Sequence, residues 1–189
     1  MPEQKLFIPI ILGTVRKDSA SSHVAKWLHE KMSAYPEIET KLIDPKNFNF
    51  STDDYGPAVK DNFADYRDAI IKADGIVIVM PEYNHGYPAP LKWLLDSMFD
   101  EYKHKAVGMV ACGGFSSGTR VIENLIPVLR ELKLTTIEAD LNFSRVGELF
   151  DESGNLKDPA SVEKRYNNFI SELLWMSKTL RWGRENVKS

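Results

Sequence analysis

Residues 75–80 read GIVIVM, and this stretch decides the fold class. It is apolar at every position rather than at every second one, as expected for a strand whose sheet is covered on both faces. Sheets of this kind are parallel, and their strands alternate with helices. Four further apolar runs of strand length lie along the chain with helix-length segments between them: Leu6–Leu12, Thr40–Ile43, Ala106–Cys112 and Thr135–Leu141. The pattern predicts repeated βα units and five parallel strands in a three-layer α/β sandwich.

Length, charge and cysteine content narrow the classes of function. The chain has 189 residues, of which 43% are hydrophobic, and this predicts a single domain over residues 1–189. Lys and Arg number 24 against 27 Asp and Glu, without a long basic block, which argues against a nucleic-acid partner. The apolar run at the N-terminus is far shorter than the roughly 18 residues of a membrane span, which predicts a cytoplasmic protein without a membrane partner. Cys112 is the single cysteine and the four histidines lack metal-ligand spacing, so neither a disulfide nor a metal site is expected.

Two features complicate the βα pattern. Pro9 falls inside the first predicted strand, and because proline cannot donate to a sheet ladder we expect a local irregularity there. The polar stretch DPKNFNFSTDDYGPAV at residues 44–59 predicts a surface loop over the carboxyl edge of the sheet. Loops of this length in compact domains are often functional.

The segment ILGTVRKDSASSHVAKW at residues 11–27 joins the first strand to a helix predicted to start near Ser19 or Ser21. Free N–H groups and the dipole at a helix N-terminus favour an anion. The segment lacks the lysine of a P-loop and does not read G-x-G-x-x-G, so a phosphate monoester bound without magnesium fits it best. The residues that could donate to such a phosphate are Thr14, Arg16, Ser19 and Ser21. In the alternative interpretation, a serine merely caps the helix and Arg16 is a solvated loop residue.

Two later loops point to the same edge of the sheet. The stretch MPEYNHGYPAPLKWLLDSM at residues 80–98 follows the third strand, and ACGGFSSGTR at residues 111–120 follows the fourth with glycines that allow close approach of a flat ligand. Either loop, taken alone, could be an ordinary turn. In the strand order 2-1-3-4-5, the first, third and fourth strands are neighbours at the switch point, where α/β sheets bind ligands. We therefore expect a flavodoxin-like fold with that order and helices on both faces of the sheet.

At these motifs the chain resembles the NAD(P)H-dependent FMN reductases, a family with a flavodoxin-like fold, over nearly its whole length. GTVRKDSAS at residues 13–21 is similar to the family's phosphate loop, and PEYNHGYPAPLK at residues 81–92 to its most recognisable motif; the glycine-rich loop and LFDESGNL also agree. Thr14 stands where the family usually has serine, and Ser21, whose role Ser22 could share, where it often has asparagine. The resemblance implies FMN as the cofactor, bound by Thr14, Arg16, Ser19, Ser21, Ser22, Pro81, Glu82, Tyr83, Asn84, Gly113 and Gly114.

The resemblance also implies a reaction. A hydride passes from NADPH or NADH to FMN, and a small-molecule acceptor then binds over the same face, so that turnover is ping-pong. Quinones, azo compounds, free flavin and oxidised metal anions are the acceptors that it suggests. The flavin carries the chemistry, so no residue is required as a catalyst; a backbone N–H between Glu82 and His85 is the expected partner of the flavin N5. His85 is a candidate proton donor, with water as the alternative.

The main rival is a flavodoxin-like electron carrier, which would bind FMN but react with protein partners. Such carriers tend to be strongly acidic, whereas the net charge here is −3. A flavin-free hydrolytic or nucleotide-binding domain is a weaker rival, because the chain has neither a G-x-S-x-G elbow nor a Walker lysine.

Tryptophans on the outer faces of helices predict self-association. Trp93 falls opposite the apolar stripe of its helix, beside Ser97, and that stripe comprises Leu91, Leu94, Leu95, Met98, Phe99 and Tyr102. Trp175 and Trp182 share a face of the last helix, opposite Tyr166, Phe169, Ile170, Leu173 and Leu180. Aromatic residues are enriched at interface cores, so the three tryptophans predict a homodimer and leave a dimer of dimers open. The resemblance implies the same, since family members usually dimerise through such helices.

Overall fold

The structure is a computed structural model that describes residues 4–50 and 54–187. It contains one twisted layer of parallel strands with five positions, of which three are occupied by two short segments each. In chain order the strands are β1 (Leu6–Phe7), β2 (Ile10–Leu12), β3 (Ile38–Glu39), β4 (Leu42–Ile43), β5 (Gly75–Pro81), β6 (Ala106–Cys112), β7 (Thr135–Thr136) and β8 (Leu141–Phe143). With each broken pair counted as one position, the order is β3/β4, β1/β2, β5, β6, β7/β8. The predicted flavodoxin-like α/β fold is confirmed, and these positions follow the predicted order 2-1-3-4-5, but the described residues form eight strand segments instead of the five strands predicted.

The first strand position is interrupted at Ile8 and Pro9, as the proline predicts. Pro9 has no N–H to give to the ladder, but its carbonyl accepts the N–H of Val77 at 2.9 Å. The N–H of Ile8 turns to the other neighbour and donates to the Glu39 carbonyl at 2.9 Å. Ile8 and Pro9 therefore keep one backbone hydrogen bond each to the neighbouring strands, although the regular strand pairing is interrupted at these two residues.

Within the described residues, five helices cover the two faces of the sheet. They are α1 (Ala20–Ser33), α2 (Ala64–Lys72), α3 (Ala89–Asp96), α4 (Thr119–Glu131) and α5 (Ala160–Asn186), with short 3-10 turns at Pro45–Asn47, Gly56–Phe63, Asp100–Tyr102 and Val146–Glu148. The side chains of β5 divide between two cores: Val77 and Val79 pack with α1 and α5, whereas Ile76, Ile78 and Met80 pack with α2, α3 and α4. Because both faces of this strand are buried, every position of GIVIVM is apolar.

The segment over α3 corrects one expectation. Trp93 is half-buried rather than outward-facing, because the rings of Phe50 and Tyr55 pack against it at centroid distances of 5.7 and 5.3 Å. Ser97, expected beside it on the outer side, is buried. The predicted loop at residues 44–59 thus covers this helix with its own aromatic side chains; its residues 51–53 lie outside the described part of the chain.

The end of α3 differs from expectation as well. The helix stops at Asp96, so Phe99 does not continue the apolar stripe and is 39% exposed. Met98 and Tyr102 still reach the core, since a 3-10 turn at Asp100–Tyr102 brings the chain back to it.

The tryptophans do not form one surface. Trp175 and Trp182 are exposed on α5 as predicted, at 61% and 62% of their surface. However, α5 covers the face of the sheet opposite to α3, so these two side chains and Trp93 belong to different layers of the sandwich. Among the helices of the described residues, none combines the length and the apolar composition that crossing a bilayer requires.

Candidate cofactor site

A cavity of about 630 Å³ opens at the carboxyl edge of the sheet, where four loops converge. These loops follow β2, β5, β6 and β8. The residues that line it are Arg16, Asp18, Ser19, Ala20, Ser21, Pro81, Glu82, Tyr83, Cys112, Gly113, Gly114, Phe115, Arg145, Val146, Gly147 and Glu148. Eight of the eleven predicted cofactor residues are in this set, and the other three are Thr14, Ser22 and Asn84.

The loop after β2 presents the start of α1 to the cavity. The helix begins at Ala20, and Ser19 occupies the N-cap position with extended backbone but makes no side-chain capping bond. Ser19 and Ser21 are nearly fully buried, at 5% and 2% exposure, while Arg16 is exposed at the rim. The hydroxyl of Ser19 is therefore not spent on capping the helix, which favours the anion-binding interpretation of this loop over the capping one.

Thr14 lies behind the loop. It is buried, its hydroxyl accepts the backbone N–H of Arg16 at 3.2 Å, and it lies 3.4 Å from the Tyr83 hydroxyl. These contacts tie the Arg16 backbone to the loop after β5. Asp18, which was not predicted from the sequence, also lines the cavity and holds a left-handed backbone with φ of 52°.

The loop after β5 is a tight turn. The N–H of Tyr83 donates to the Gly86 carbonyl at 2.9 Å, and the N–H of Gly86 donates back at 3.0 Å. Both central residues, Asn84 and His85, have positive φ, at 51° and 70°, as a type I′ turn requires. The N–H of Glu82 donates to the Cys112 carbonyl, so the predicted flavin N5 partner in this loop narrows to the N–H of Asn84 or His85.

The loops after β6 and β8 are joined to each other. The N–H of Arg145 donates to the Gly114 carbonyl at 3.1 Å, and the N–H of Val146 to the Gly113 carbonyl at 3.4 Å. A Cβ atom at Gly113 would overlap the backbone nitrogen of Gly118, whereas one at Gly114 would meet nothing within 4 Å. Position 113 therefore requires glycine because a side chain would collide with the backbone at Gly118. Gly114, in contrast, has open space beside it in the cavity.

Phe115 and Arg145 form a rim that was not predicted from the sequence. Phe115 is 88% exposed, and the Arg145 guanidinium lies 4.8 Å from the centre of its ring. The glycine-rich motif drew attention to the residues before Phe115, and the predicted last strand ended two residues early, at Leu141 instead of Phe143. A strand end at Phe143 would have pointed to Arg145 as a loop residue at the binding edge.

Cys112 closes the inner wall of the cavity at the end of β6. It is buried, and this burial raises the pKa of its thiol to about 12, against a smaller lowering by a hydrogen bond with Ser21. The thiol is therefore neutral at physiological pH. Among the described residues, no group of three or more His, Cys, Asp or Glu side chains could hold a metal ion.

The sequence as a whole identifies the family. Residues 7–147 match the profile of the NADPH-dependent FMN reductases. The chain belongs to this family. It is accordingly an FMN-dependent oxidoreductase that uses NAD(P)H, with the flavodoxin-like fold of the family.

Individual relatives agree with the family. An NAD(P)H-dependent FMN reductase of Schizosaccharomyces pombe is 29% identical over 130 residues, which are 62% of this chain and 65% of the relative. A quinone reductase of Pseudomonas putida is 27% identical over 162 residues, or 80% of this chain and 84% of the relative. In structure, the chain is similar to the flavoenzyme NAD(P)H:(acceptor) oxidoreductase FerB of Paracoccus denitrificans with a TM-score of 0.74, at 17% identity and over 92% of this chain and 98% of that one.

The residues of the cavity fit FMN. A phosphate dianion needs convergent donors, and the cavity offers a helix N-terminus, the Ser19 hydroxyl and the Arg16 guanidinium on one side. A flat ring system needs walls without bulky side chains, and Gly113 and Gly114 provide such a wall in the same cavity as the Pro81–Tyr83 segment. The two kinds of wall share one cavity, as the phosphate and the ring of one cofactor require.

Proposed function

We propose that the enzyme passes hydride from NADPH or NADH, through bound FMN, to a small acceptor in a ping-pong cycle. The observation that carries the proposal is the single cavity in which an anion-binding loop, a rigid turn and a glycine wall meet. Bound FMN supplies the hydride chemistry, and the protein supplies binding, orientation and electrostatics.

In this proposal Arg16, Ser19 and the start of α1 hold the phosphate of the cofactor. Thr14 and Tyr83 brace that loop through the contacts described above. The Pro81–Tyr83 segment and the glycines Gly113 and Gly114 enclose the flavin ring, whereas Ser22 and Asn84 do not line the cavity.

The contact between His85 and Arg120 limits the part that His85 can take in proton transfer. The Arg120 Nη1 lies 2.5 Å from the His85 Nε2. Because a guanidinium can only donate, the Nε2 atom accepts and carries no proton. His85 is then held with its proton on Nδ1, so it is a poor source of a proton through Nε2, and we assign proton delivery to water.

Quinones and azo compounds are supported by named relatives, because the similar Pseudomonas putida protein is named a quinone reductase and a similar Staphylococcus aureus protein an FMN-dependent NADPH-azoreductase. Free flavin and oxidised metal anions follow from the family resemblance. We also propose that the enzyme is a homodimer. The apolar groove beside α3 and α4 and the exposed tryptophans of α5 lie on different layers, which is compatible with a second contact that would build a dimer of dimers.

Two measurements test the proposed reaction. Anaerobic addition of NADPH or NADH to the FMN-loaded protein should bleach the flavin absorption without any protein reductase. Double-reciprocal plots at several acceptor concentrations should then be parallel. Bleaching that requires a protein reductase would favour an electron carrier, and intersecting lines would reject a shared site for donor and acceptor.

A further inference from the structure

A carboxylate lies inside the cofactor cavity. The side chain of Glu82, directly after β5, lines the cavity and is only 8% exposed. A carboxylate removed from water is stable in its ionised form only when it is paired or well hydrogen-bonded. The residues around Glu82 therefore decide how its charge acts on whatever occupies the cavity.

Two residues that follow β6, Ser116 in the loop and Arg120 in α4, contact the carboxylate of Glu82. The Arg120 Nε lies 3.1 Å from one carboxylate oxygen, and the Ser116 hydroxyl donates to the carboxylate at 3.2 and 3.3 Å. The Arg120 Nε–H is buried but is not directed at a hydrogen-bond acceptor. The contact with Arg120 is thus mainly an electrostatic pairing, and Ser116 supplies the hydrogen bond.

Arg120 also holds the turn on which Glu82 stands. The same guanidinium donates to the ring of His85, and the side-chain amide of Asn124, one turn along α4, donates to the His85 carbonyl at 2.9 Å. Positive φ values at non-glycine residues cost free energy and persist where the surroundings enforce them. The first two turns of α4 therefore fix both the conformation of the turn and the position of the charge pair.

We propose that Arg120 is a positioning residue that offsets the Glu82 charge and thereby sets the reduction potential of the bound cofactor. The inference depends on FMN occupying this cavity, as in the proposed function. Reduction adds negative charge to a flavin near neutral pH, so an unpaired carboxylate beside it disfavours the reduced form, and a paired one does so much less.

The proposal predicts shifts of opposite sign. Arg120→Gln leaves the carboxylate uncompensated and should lower the midpoint potential of bound FMN, whereas Glu82→Gln leaves the guanidinium uncompensated and should raise it. Each shift should correspond to about a tenfold change in the ratio of FMN dissociation constants between the oxidised and reduced forms, or about 30 mV for a two-electron couple. The double variant should return close to the wild-type potential. The charges of Arg16, Asp18, Arg145 and Glu148 are the same in every variant, so the differences isolate the pair.

The experiment is a spectroscopic redox titration of each FMN-loaded variant. Arg120→Lys keeps the charge and should hold the wild-type potential, and Arg130→Gln, an exposed position at the far end of the same helix, is the matched control. If Arg120→Gln fails to retain FMN, the proposal is tested by the raised potential expected for Glu82→Gln and the unchanged potential expected for Arg120→Lys. Shifts of the same sign in the two single variants, or no shift in Glu82→Gln, would overturn the proposal, whereas a wild-type protein that binds no FMN would contradict the proposed function itself.

Discussion

Arg16 is the cationic side chain at the rim of the loop that is expected to hold the cofactor phosphate. Replacing it with Ala should weaken FMN binding by about 1.5–3 kcal/mol, the usual loss for a hydrogen bond to a charged group. Riboflavin has no phosphate, so its affinity should change little. Flavin fluorescence titrations with both ligands measure the difference, and Lys17→Ala removes the same charge from the same loop at an exposed position that does not line the cavity. Equal losses for FMN and riboflavin would reject the phosphate assignment.

Lys105 gives stability a dependence on pH. Its side chain is buried at the end of α2, where the ammonium donates to the carbonyls of Ile70 and Ile71, and burial with a further effect of Arg184 lowers its pKa to about 8. Between pH 8 and the ordinary value of 10.5, the unfolded chain binds more protons than the folded one, so this residue makes stability rise with pH across that window.

Lys105→Met removes this linkage. Urea unfolding at pH 7.5 and pH 10 gives the free energy of unfolding of both proteins. The value for the wild type minus the value for the variant should be larger at pH 10 than at pH 7.5. Comparing the two proteins cancels the other groups that titrate in this range. A constant difference between them would mean that Lys105 has its ordinary pKa in the folded protein.

At the cofactor loops, the residues predicted from the sequence are those whose chemistry is distinctive by residue type. Arg16, Ser19 and the glycines combine special chemistry or geometry with a place at a strand end. Arg145 was missed because nothing in its local sequence links it to Phe115, and the two residues meet only through the pairing of two loops. The role of Thr14 as a phosphate ligand stays a prediction; its contact with Tyr83 is visible only in three dimensions.

At the scale of elements, α5 lies close against the start of β5. A Cβ atom at Gly75 would overlap the Ser177 hydroxyl and lie 3.3 Å from the Ser177 Cβ. Gly75→Ala should therefore cost about 1–3 kcal/mol of stability, as overpacking of a core usually does. The Ser177 hydroxyl is buried without a hydrogen-bond partner, so Ser177→Ala alone should be close to neutral.

A double-mutant cycle tests this contact between strand and helix. Combined with Ser177→Ala, the Gly75→Ala substitution should lose most of its cost, which denaturant unfolding measures as a coupling energy. Additive effects of the two substitutions would mean that the helix and the strand are farther apart than the structure has them.

The elements were predictable to different degrees for physical reasons. β5 and β6 carry continuous apolar runs, and their bounds came out within one residue. The outer positions are held from one side only, so their strands are short and broken: the run at Thr135–Leu141 pairs with β6 at its start, lapses, and resumes at Leu141–Phe143. Helical periodicity gave the direction of Trp93 but could not show that a remote loop with Phe50 and Tyr55 covers it.

At the scale of the whole molecule, the two helical layers offer two separate surfaces for assembly. One is an apolar groove of about 680 Å³ beside α3 and α4, lined by Tyr55, Phe99, Pro127 and Val128 among others. The other is the tryptophan face of α5. The groove adjoins the helix that follows the cofactor turn, so we expect the primary dimer contact there.

Phe99→Glu tests that contact, since burying an unpaired charge in an apolar interface is costly. The variant should sediment as a monomer at micromolar concentration, at which the wild type should be a dimer or larger. Trp182→Glu, on the opposite layer, should leave the dimer intact and at most dissolve a tetramer into dimers. A monomeric wild type would contradict the predicted assembly, and a dimeric Phe99→Glu variant would move the contact away from the groove.

The buried thiol of Cys112 bears on the resistance of the enzyme to chemical modification by reactive acceptors. Quinones arylate thiolates, and Cys112 lies in the wall of the cavity where a quinone would be reduced. Because burial raises the pKa of this thiol to about 12, it is protonated at neutral pH and is a poor nucleophile. If quinones are the acceptors, as proposed above, the packing that shields the end of β6 would also protect this thiol against arylation during repeated turnover.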